Sequence, residues 1–441
     1  MDKNSKFLKI PSPFVLAFLL TLLTLAMALA FSPVESGGNR IITMLNFWQM
    51  GFWELLEFTG QMVLILLFGH TLALSPVVDR LINRLVRYCT STSISVVVVC
   101  VSTLLVAFVN WGMCLVFGAI LARKIGENAS RNNIPINYPL IGASAYTGMM
   151  LWHGGLSGSA PLAVSQANHF MKDVIGQIPL SDTLFSSMNI SLLLTSLVVV
   201  PLFAWLLSKL YKEKDFINGP GIMSDFVPHH EPEESSSLDT SAWPARTLGL
   251  MILVVGAISL WNSQQGLGFL NLNYINFILF GLCITLHKNL YAFQKAIGEA
   301  ISGTSGILIQ FPLYAGIMGI MKYSGLAQQI AEGFISMSSV RDLPLLSFAS
   351  ASLINIFIPS GGGQWAIQGP IICKAALSLG TPIPKVIMAF AYGDQLTNML
   401  QPFWALPLLA ITKLRVREIL PYTLLFMVLG GLLFTLFLLL F

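Results

Sequence analysis

Apolar runs long enough to cross a bilayer recur from one end of the chain to the other, separated by short polar stretches. They cover about 14–31, 52–74, 94–122, 138–164, 186–207, 247–261, 274–287, 301–321, 345–379, 386–411 and 421–441. Several cannot be unbroken helices, because Gly spends backbone entropy and Pro lacks an amide donor. The run 94–122 is interrupted at Asn110-Trp111-Gly112, and 138–164 ends in WHGGLSGSAP. The run 345–379 contains FIPSGGGQWAIQGP at 357–370, whose three glycines and flanking prolines are expected to stop a helix. An unpaired backbone group in lipid costs several kcal/mol, so such breaks lie inside protein or line a wet cavity.

Charge sets the topology. Arg80, Arg84 and Arg87 precede 94–122, and Arg123, Lys124 and Arg131 follow it. Basic loops mark the cytoplasmic face, so this segment must enter and leave on one side, as a re-entrant hairpin. The run 345–379 is read as a second hairpin. Lys3, Lys6 and Lys9 precede the first run; Ala28-Leu29-Ala30 resembles a signal-peptide site, but with so many later spans a retained first helix with a cytoplasmic N-terminus is expected. This scheme leaves six of the 24 Lys and Arg outside and 24 − 6 = 18 inside.

Composition agrees. The chain of 441 residues is 55% hydrophobic and only 10% charged, against roughly 25% in soluble domains, with a mean hydropathy of +0.75. The net charge of +4 reflects topology, and no nucleic-acid partner is implied. The five cysteines include no CxxC pair, so neither disulfide framework nor metal site is expected. The soluble stretch 210–245 reads as a cytoplasmic linker. Its His229, His230, Glu231, Glu233 and Glu234 lack the spacing of a closed metal site.

The halves of the chain resemble each other. Gln61 and Gln310, Ser75 and Ser324, Phe108 and Phe357, and Gly112 and Gly361 all differ by 249 positions (361 − 112). Ala145-Tyr146 and Ala391-Tyr392, and Pro161-Leu162 and Pro407-Leu408, differ by 246 (392 − 146). Five crossings separate the copies, and an odd number inverts the second. Inverted repeats with broken helices are a secondary-transporter architecture. The expected fold is an all-α polytopic membrane protein with two re-entrant hairpins. Its expected parts are a first helix (1–48), repeat one (49–209), the linker (210–245), connecting helices (246–297), repeat two (298–412) and a last helix (413–441).

The repeat predicts four breaks meeting at one site: Asn110 and Trp111; WHGGLSGSAP with His153, Ser157, Gly158 and Ser159; the second tip with Ser360, Gly361, Gly362, Gly363 and Gln364; and 393–402. Hydroxyls and freed amides are what a carboxylate needs. No Arg or Lys falls inside, which fits a monoanion; a dicarboxylate or phosphate more often calls for a fixed cation. Against this stands the plain account that Ser and Gly ease helix contact. Asp394 is the acid deep in 386–411. A charge at membrane depth costs roughly 2.5–3.5 kcal/mol and is usually functional. It is expected to take a coupling proton or sodium ion with Thr397 and Asn398, unless it merely braces the packing. His153 and His70 read more readily as hydrogen-bonded interior residues.

At WHGGLSGSAPLAV, FIPSGGGQWAIQGPI and GDQLTNMLQPFWALP the sequence resembles the bacterial short-chain fatty acid transporter family. PSPFVLAFLLTLL, LILLFGHTLALSPVV and NWGMCLVFGAILAR extend the likeness over nearly the whole chain, the linker 210–245 least. The resemblance implies uptake of acetoacetate- and butyrate-like acids across the bacterial inner membrane. It also implies a place among ion-coupled anion transporters with inverted repeats and hairpins. No cofactor beyond a coupling Na+ or H+ is expected; the oligomer, with a homodimer among the candidates, stays open. Two rivals are weaker. A membrane hydrolase would need GxSxG, but GLSGS places Ser159 where the last Gly belongs. A channel or facilitator for small anions would use rings of charge or carbonyls, against which the inverted repeat argues. No ATP-binding P-loop appears.

Overall fold

The computed structural model describes residues 12–33, 39–211, 236–262, 271–301 and 304–441. The histidines and glutamates of the linker fall outside them. Every regular element among the described residues is a helix. Seven helices of 18 residues or more are long and apolar enough to cross a membrane: Pro13–Phe31, Leu56–Ala73, Thr92–Val109, Ser187–Leu210, Ala242–Trp261, Ser305–Tyr323 and Val416–Leu440. The protein is a multi-pass membrane protein. The run expected at 52–74 is two helices, Arg40–Glu54 and Leu56–Ala73, kinked at Leu55. Helix Ala242–Trp261 starts inside the expected linker. The five cysteines are free and buried.

One five-element order occurs twice. Leu56–Ala73, the short amphipathic Pro76–Val86, a helical hairpin, a broken span and Ser187–Leu210 make the first series. Ser305–Tyr323, Leu326–Ser336, a second hairpin, a second broken span and Val416–Leu440 make the second. The last helix is thus the counterpart of Ser187–Leu210.

Hairpin 1 joins Thr92–Val109 to Trp111–Arg131 through Asn110, which is extended (φ −156°) and caps the second arm by accepting from Met113 N at 3.0 Å. Such a cap is worth about 1 kcal/mol. The ends meet: Asn137 N donates to Thr92 Oγ1 at 2.9 Å. Hairpin 2 joins Leu343–Asn355 to Gly361–Leu379, and its ends meet where Thr381 Oγ1 donates to Val340 O at 3.0 Å. Here the sequence expectation needs correcting. Gly361, Gly362 and Gly363 do not stop a helix; they form its first turn, capped by Ser360, and the helix continues through Pro370. First-turn amides have no intrahelical acceptor to lose, so the glycines cost least there. The break itself is 356–360.

The broken spans are Tyr138–Tyr146, followed by short 3-10 turns and Ser159–Ser165, and Ile383–Leu396, followed by the turn Thr397–Leu400 and Pro402–Thr412. They run antiparallel, side by side. Tyr138 Oη donates to Thr412 O at 2.9 Å, Tyr146 Oη to Asn398 O at 2.9 Å, and His153 N to Gln395 Oε1 at 2.8 Å. Further along, Ala160 and Val164 share an apolar cluster with Val386, Ile387 and Phe390. The two breaks therefore lie against each other in the middle of the molecule.

Candidate functional site

Each hairpin tip is pinned to the break of its own series. At hairpin 1, Leu156 N donates to Phe108 O at 2.7 Å and Trp111 N to Ser157 Oγ at 3.1 Å. Gly155 is required: a Cβ there would stand 2.5 Å from Phe108 O. At hairpin 2, Asn355 Nδ2 donates to Thr397 Oγ1 at 2.9 Å and to Asn398 Oδ1 at 3.0 Å, and Gln401 Nε2 donates to Asn355 O. Asn189 ties the halves together: its Nδ2 reaches Gly154 O at 2.8 Å and its Oδ1 accepts from Tyr392 Oη at 3.0 Å.

Between the tips lies a cavity of about 440 Å³. Of the residues singled out in the sequence, Asn110, Trp111, Ser157, Gly158, Ser159, Ser360, Gly361 and Gly362 line it. Its polar wall is made of donors. Ser157 already accepts from Trp111 N, which leaves its hydroxyl hydrogen free to donate. Gly363 N and Gln364 N go to Ser360 Oγ and Ser360 O, so the first-turn amides left for a ligand are those of Gly361 and Gly362. They sit at the positive end of a 19-residue helix.

Much of the remaining lining is aromatic, and of these rings the sequence reading named only Trp111. Phe58, Trp111, Trp152 and Trp404 all line the cavity; Trp111 meets Trp404 edge-on at 5.0 Å and Phe58 meets Trp404 edge-on at 5.9 Å. These rings come from four separate elements and look like ordinary apolar residues in sequence. Gln61, Gln166, Asn271 and Asn273 also line the cavity; every lining residue among those described is uncharged.

Three expected binding residues, His153, Gly363 and Gln364, do not line the cavity, and two expected coupling residues bond away from Asp394. Gln364 is buried inside hairpin 2, donating to Ala351 O at 2.9 Å and Gln368 Oε1 at 2.7 Å. Three positions past Gly361 on a helix, it faces the other arm. Gly363 stands beside its cap, off the cavity wall. Thr397 and Asn398 bond to Asn355 rather than to Asp394.

Asp394 instead meets His153. Its Oδ2 lies 2.8 Å from His153 Nδ1, with both side chains essentially fully buried (0% and 1% exposed). Ala160 N donates to His153 Nε2 at 3.0 Å, and Trp152 stacks on the imidazole at 4.5 Å. His153 thus stands directly behind the cavity wall. Asp394 Oδ1 is buried with no hydrogen-bond partner among the described residues. The repeat predicts that the two breaks meet, but not that these two residues, 241 positions apart, bond directly.

The family model for "Short chain fatty acid transporter" matches residues 3–441. The chain belongs to the short-chain fatty acid transporter family. Two similar proteins, each named "Putative short-chain fatty acid transporter", are 36% identical to it. The one from Escherichia coli aligns over 98% of this chain and 96% of its own length, and the one from Haemophilus influenzae over 95% and 93%. Among solved structures, the Alcanivorax borkumensis YdaH transporter covers 97% of this chain and 98% of its own at 16% identity, with a TM-score of 0.46. Neisseria gonorrhoeae MtrF covers 97% and 95% at 16% identity, with a TM-score of 0.42. Both scores are too low to bear on the fold. Membership of a transporter family agrees with a carrier and not with the hydrolase alternative.

Proposed function

We propose that the chain is a secondary active transporter of short-chain monocarboxylates, acetoacetate- or butyrate-like, across the bacterial inner membrane, and that the cavity between the hairpin tips is its binding site. The observation that carries this is the composition of the lining. Hydroxyls of Ser157 and Ser159 and amides of Gly361 and Gly362 face a box of Phe58, Trp111, Trp152 and Trp404, with no charge among them. Neutral donors suit one carboxylate, and a short alkyl tail fits against rings. A second carboxylate would find no cation.

The repeated element order and the antiparallel broken spans support an inverted repeat whose hairpins are re-entrant, with the basic ends of hairpin 1 in the cytoplasm. Alternating access then exposes one fixed site to either face. The coupling cation sits at Asp394, where a buried carboxylate has one oxygen without a partner. An uncompensated charge in the interior is costly, so this group needs a cation to be comfortable there.

Counterflow in proteoliposomes tests the reading. Labelled butyrate should accumulate transiently in vesicles preloaded with unlabelled butyrate. Unlabelled acetoacetate should compete, and succinate should not. Equal competition by succinate would remove the assignment to monocarboxylates.

A further inference from the structure

The partition between the cavity and the buried His153–Asp394 pair is a single residue thick. Gly361 and Ser159 line the cavity, yet a Cβ on Gly361 would stand 3.0 Å from His153 Cε1 and 3.1 Å from Ser159 Oγ. A carboxylate bound at this wall therefore has the imidazole, and through it Asp394, immediately behind.

The hydrogen bonds fix where protons can go. Ala160 N can only donate, so His153 Nε2 accepts and carries no hydrogen. The proton of the neutral ring is on Nδ1, and it is donated to Asp394 Oδ2. A second proton on the imidazole would break the bond from Ala160. The open position is Asp394 Oδ1, which is buried and without a donor.

We propose that the coupling ion is a proton, carried on Asp394 Oδ1 whenever a carboxylate occupies the Ser159–Gly361 wall, and that His153 is the residue that positions it. This rests on the carrier reading and narrows its cation. Two negative charges separated by Gly361 and the buried ring of His153 disfavour each other, so substrate binding draws a proton onto Asp394. One carboxylate and one proton enter together, with no net charge moved and no covalent bond made.

The surroundings favour a proton over sodium. Hard cations gather several oxygens, six to eight in the case of calcium. Around this pair stand the rings of Trp152 and Phe390, and Gln395 Oε1 is taken by His153 N. One free carboxylate oxygen suits a proton. Neighbouring groups do not compete for it. Tyr392, on the same helix, donates its hydroxyl to Asn189, and Gln364 and Trp365 of hairpin 2 are uncharged. Among the described residues the pair makes no ion pair within 4.0 Å except its own.

The test begins without any variant. Purified full-length protein in weakly buffered, sodium-free detergent solution is given potassium butyrate, with binding followed by calorimetry and pH by an indicator dye. About one proton should be taken up per butyrate bound, and added sodium should change neither signal. Asp394→Asn should bind butyrate without proton uptake. His153→Gln keeps an acceptor for Ala160 but no donor for Asp394. Without that donor, proton uptake per butyrate should depart from one. His153→Asn keeps a donor at the Nδ1 position and should stay near wild type, which a purely structural role would not distinguish. Butyrate binding with no proton uptake, or binding that requires sodium, overturns the proton and leaves the carrier reading intact. Absence of butyrate binding to the wild-type protein takes down the carrier reading and this inference with it.

Discussion

The two hairpin tips are built to one plan but held by different groups. Hairpin 1 is closed by main-chain amides: Leu156 N on Phe108 O, with Gly155 pressed against the same carbonyl, and Trp111 N on Ser157 Oγ. Within its first arm the buried Ser95 and Thr103 turn back on their own helix, Ser95 to Ser91 O at 2.7 Å. Hairpin 2 is closed by amide side chains, Asn355 and Gln401. Its arms are joined by Gln364, Gln368 and Ser350, with Gln368 Nε2 donating to Ser350 Oγ at 3.1 Å. Main-chain contacts demand close approach, and they place Asn110, Trp111 and Ser157 at the cavity wall, where Asn110 also caps the second arm and Ser157 accepts from Trp111 N. Side-chain contacts hold at longer reach and fill the interior with amides. Both tips thus supply the cavity wall, while the buried amide core is confined to hairpin 2.

The largest effect is expected where main chain meets main chain. Gly155→Ala drives a Cβ onto Phe108 O, and backbone cannot yield as a side chain can. Hairpin 1 should detach from its break, with uptake lost and the melting temperature lowered. An active, stable Gly155→Ala would mean the contact can loosen freely. Asn355→Leu comes next. It strips Thr397 Oγ1 and Asn398 Oδ1 of a donor; Thr397 keeps its bond to Ser352 O, and the orphaned Asn398 Oδ1 costs about 1–3 kcal/mol. Butyrate uptake should fall strongly, while binding at the Ser157 wall, read by calorimetry, persists. Equal loss of both would show that the two tips are one unit.

Part of this arrangement was legible in the sequence, because Gly and Pro punctuate helices. Asn110-Trp111-Gly112 marked the first tip within a residue, and WHGGLSGSAP marked a true break. The same rule misfired at Gly361–Gly363, since a glycine run can open a helix as well as end one. Contacts between distant elements left no trace. The kink at Leu55, the pairing of His153 with Asp394, and the convergence of Phe58 and Trp404 depend on packing rather than on local pattern. Thr397 and Asn398 were expected to hold a coupling ion with Asp394, but the partner they meet is Asn355 of hairpin 2.

A smaller effect is expected at Ser157→Ala. Trp111 N loses its acceptor and the cavity one hydroxyl, together about 1–2 kcal/mol. Half-saturation for butyrate should rise several-fold to roughly thirtyfold with protein yield unchanged. A change in yield without a change in affinity would make Ser157 a structural fastener, like its neighbour Gly155.

The smallest effect on the fold, and the most selective on transport, is expected at Gly362. Its neighbour Gly361 has no room: an added Cβ meets His153, Ser159 and Trp152 at 3.0–3.1 Å. At Gly362 nothing lies within 4 Å of an added Cβ, and the residue lines the cavity in a helical first turn. Alanine in place of a helical glycine is worth roughly 0.5–1 kcal/mol to the fold, so Gly362→Ala should melt no lower than wild type. Its methyl, however, stands in the space meant for substrate, beside the amides that would hold the carboxylate. Gly362→Val adds two more carbons there. Uptake should therefore fall from wild type to Ala to Val while stability does not. The loss should also be steeper for a six-carbon acid than for acetate, because the longer tail needs the volume. Competition by a homologous series of acids against labelled butyrate reads this directly. Unchanged chain-length preference in Gly362→Val would place the substrate elsewhere and leave the three glycines as no more than the start of a helix.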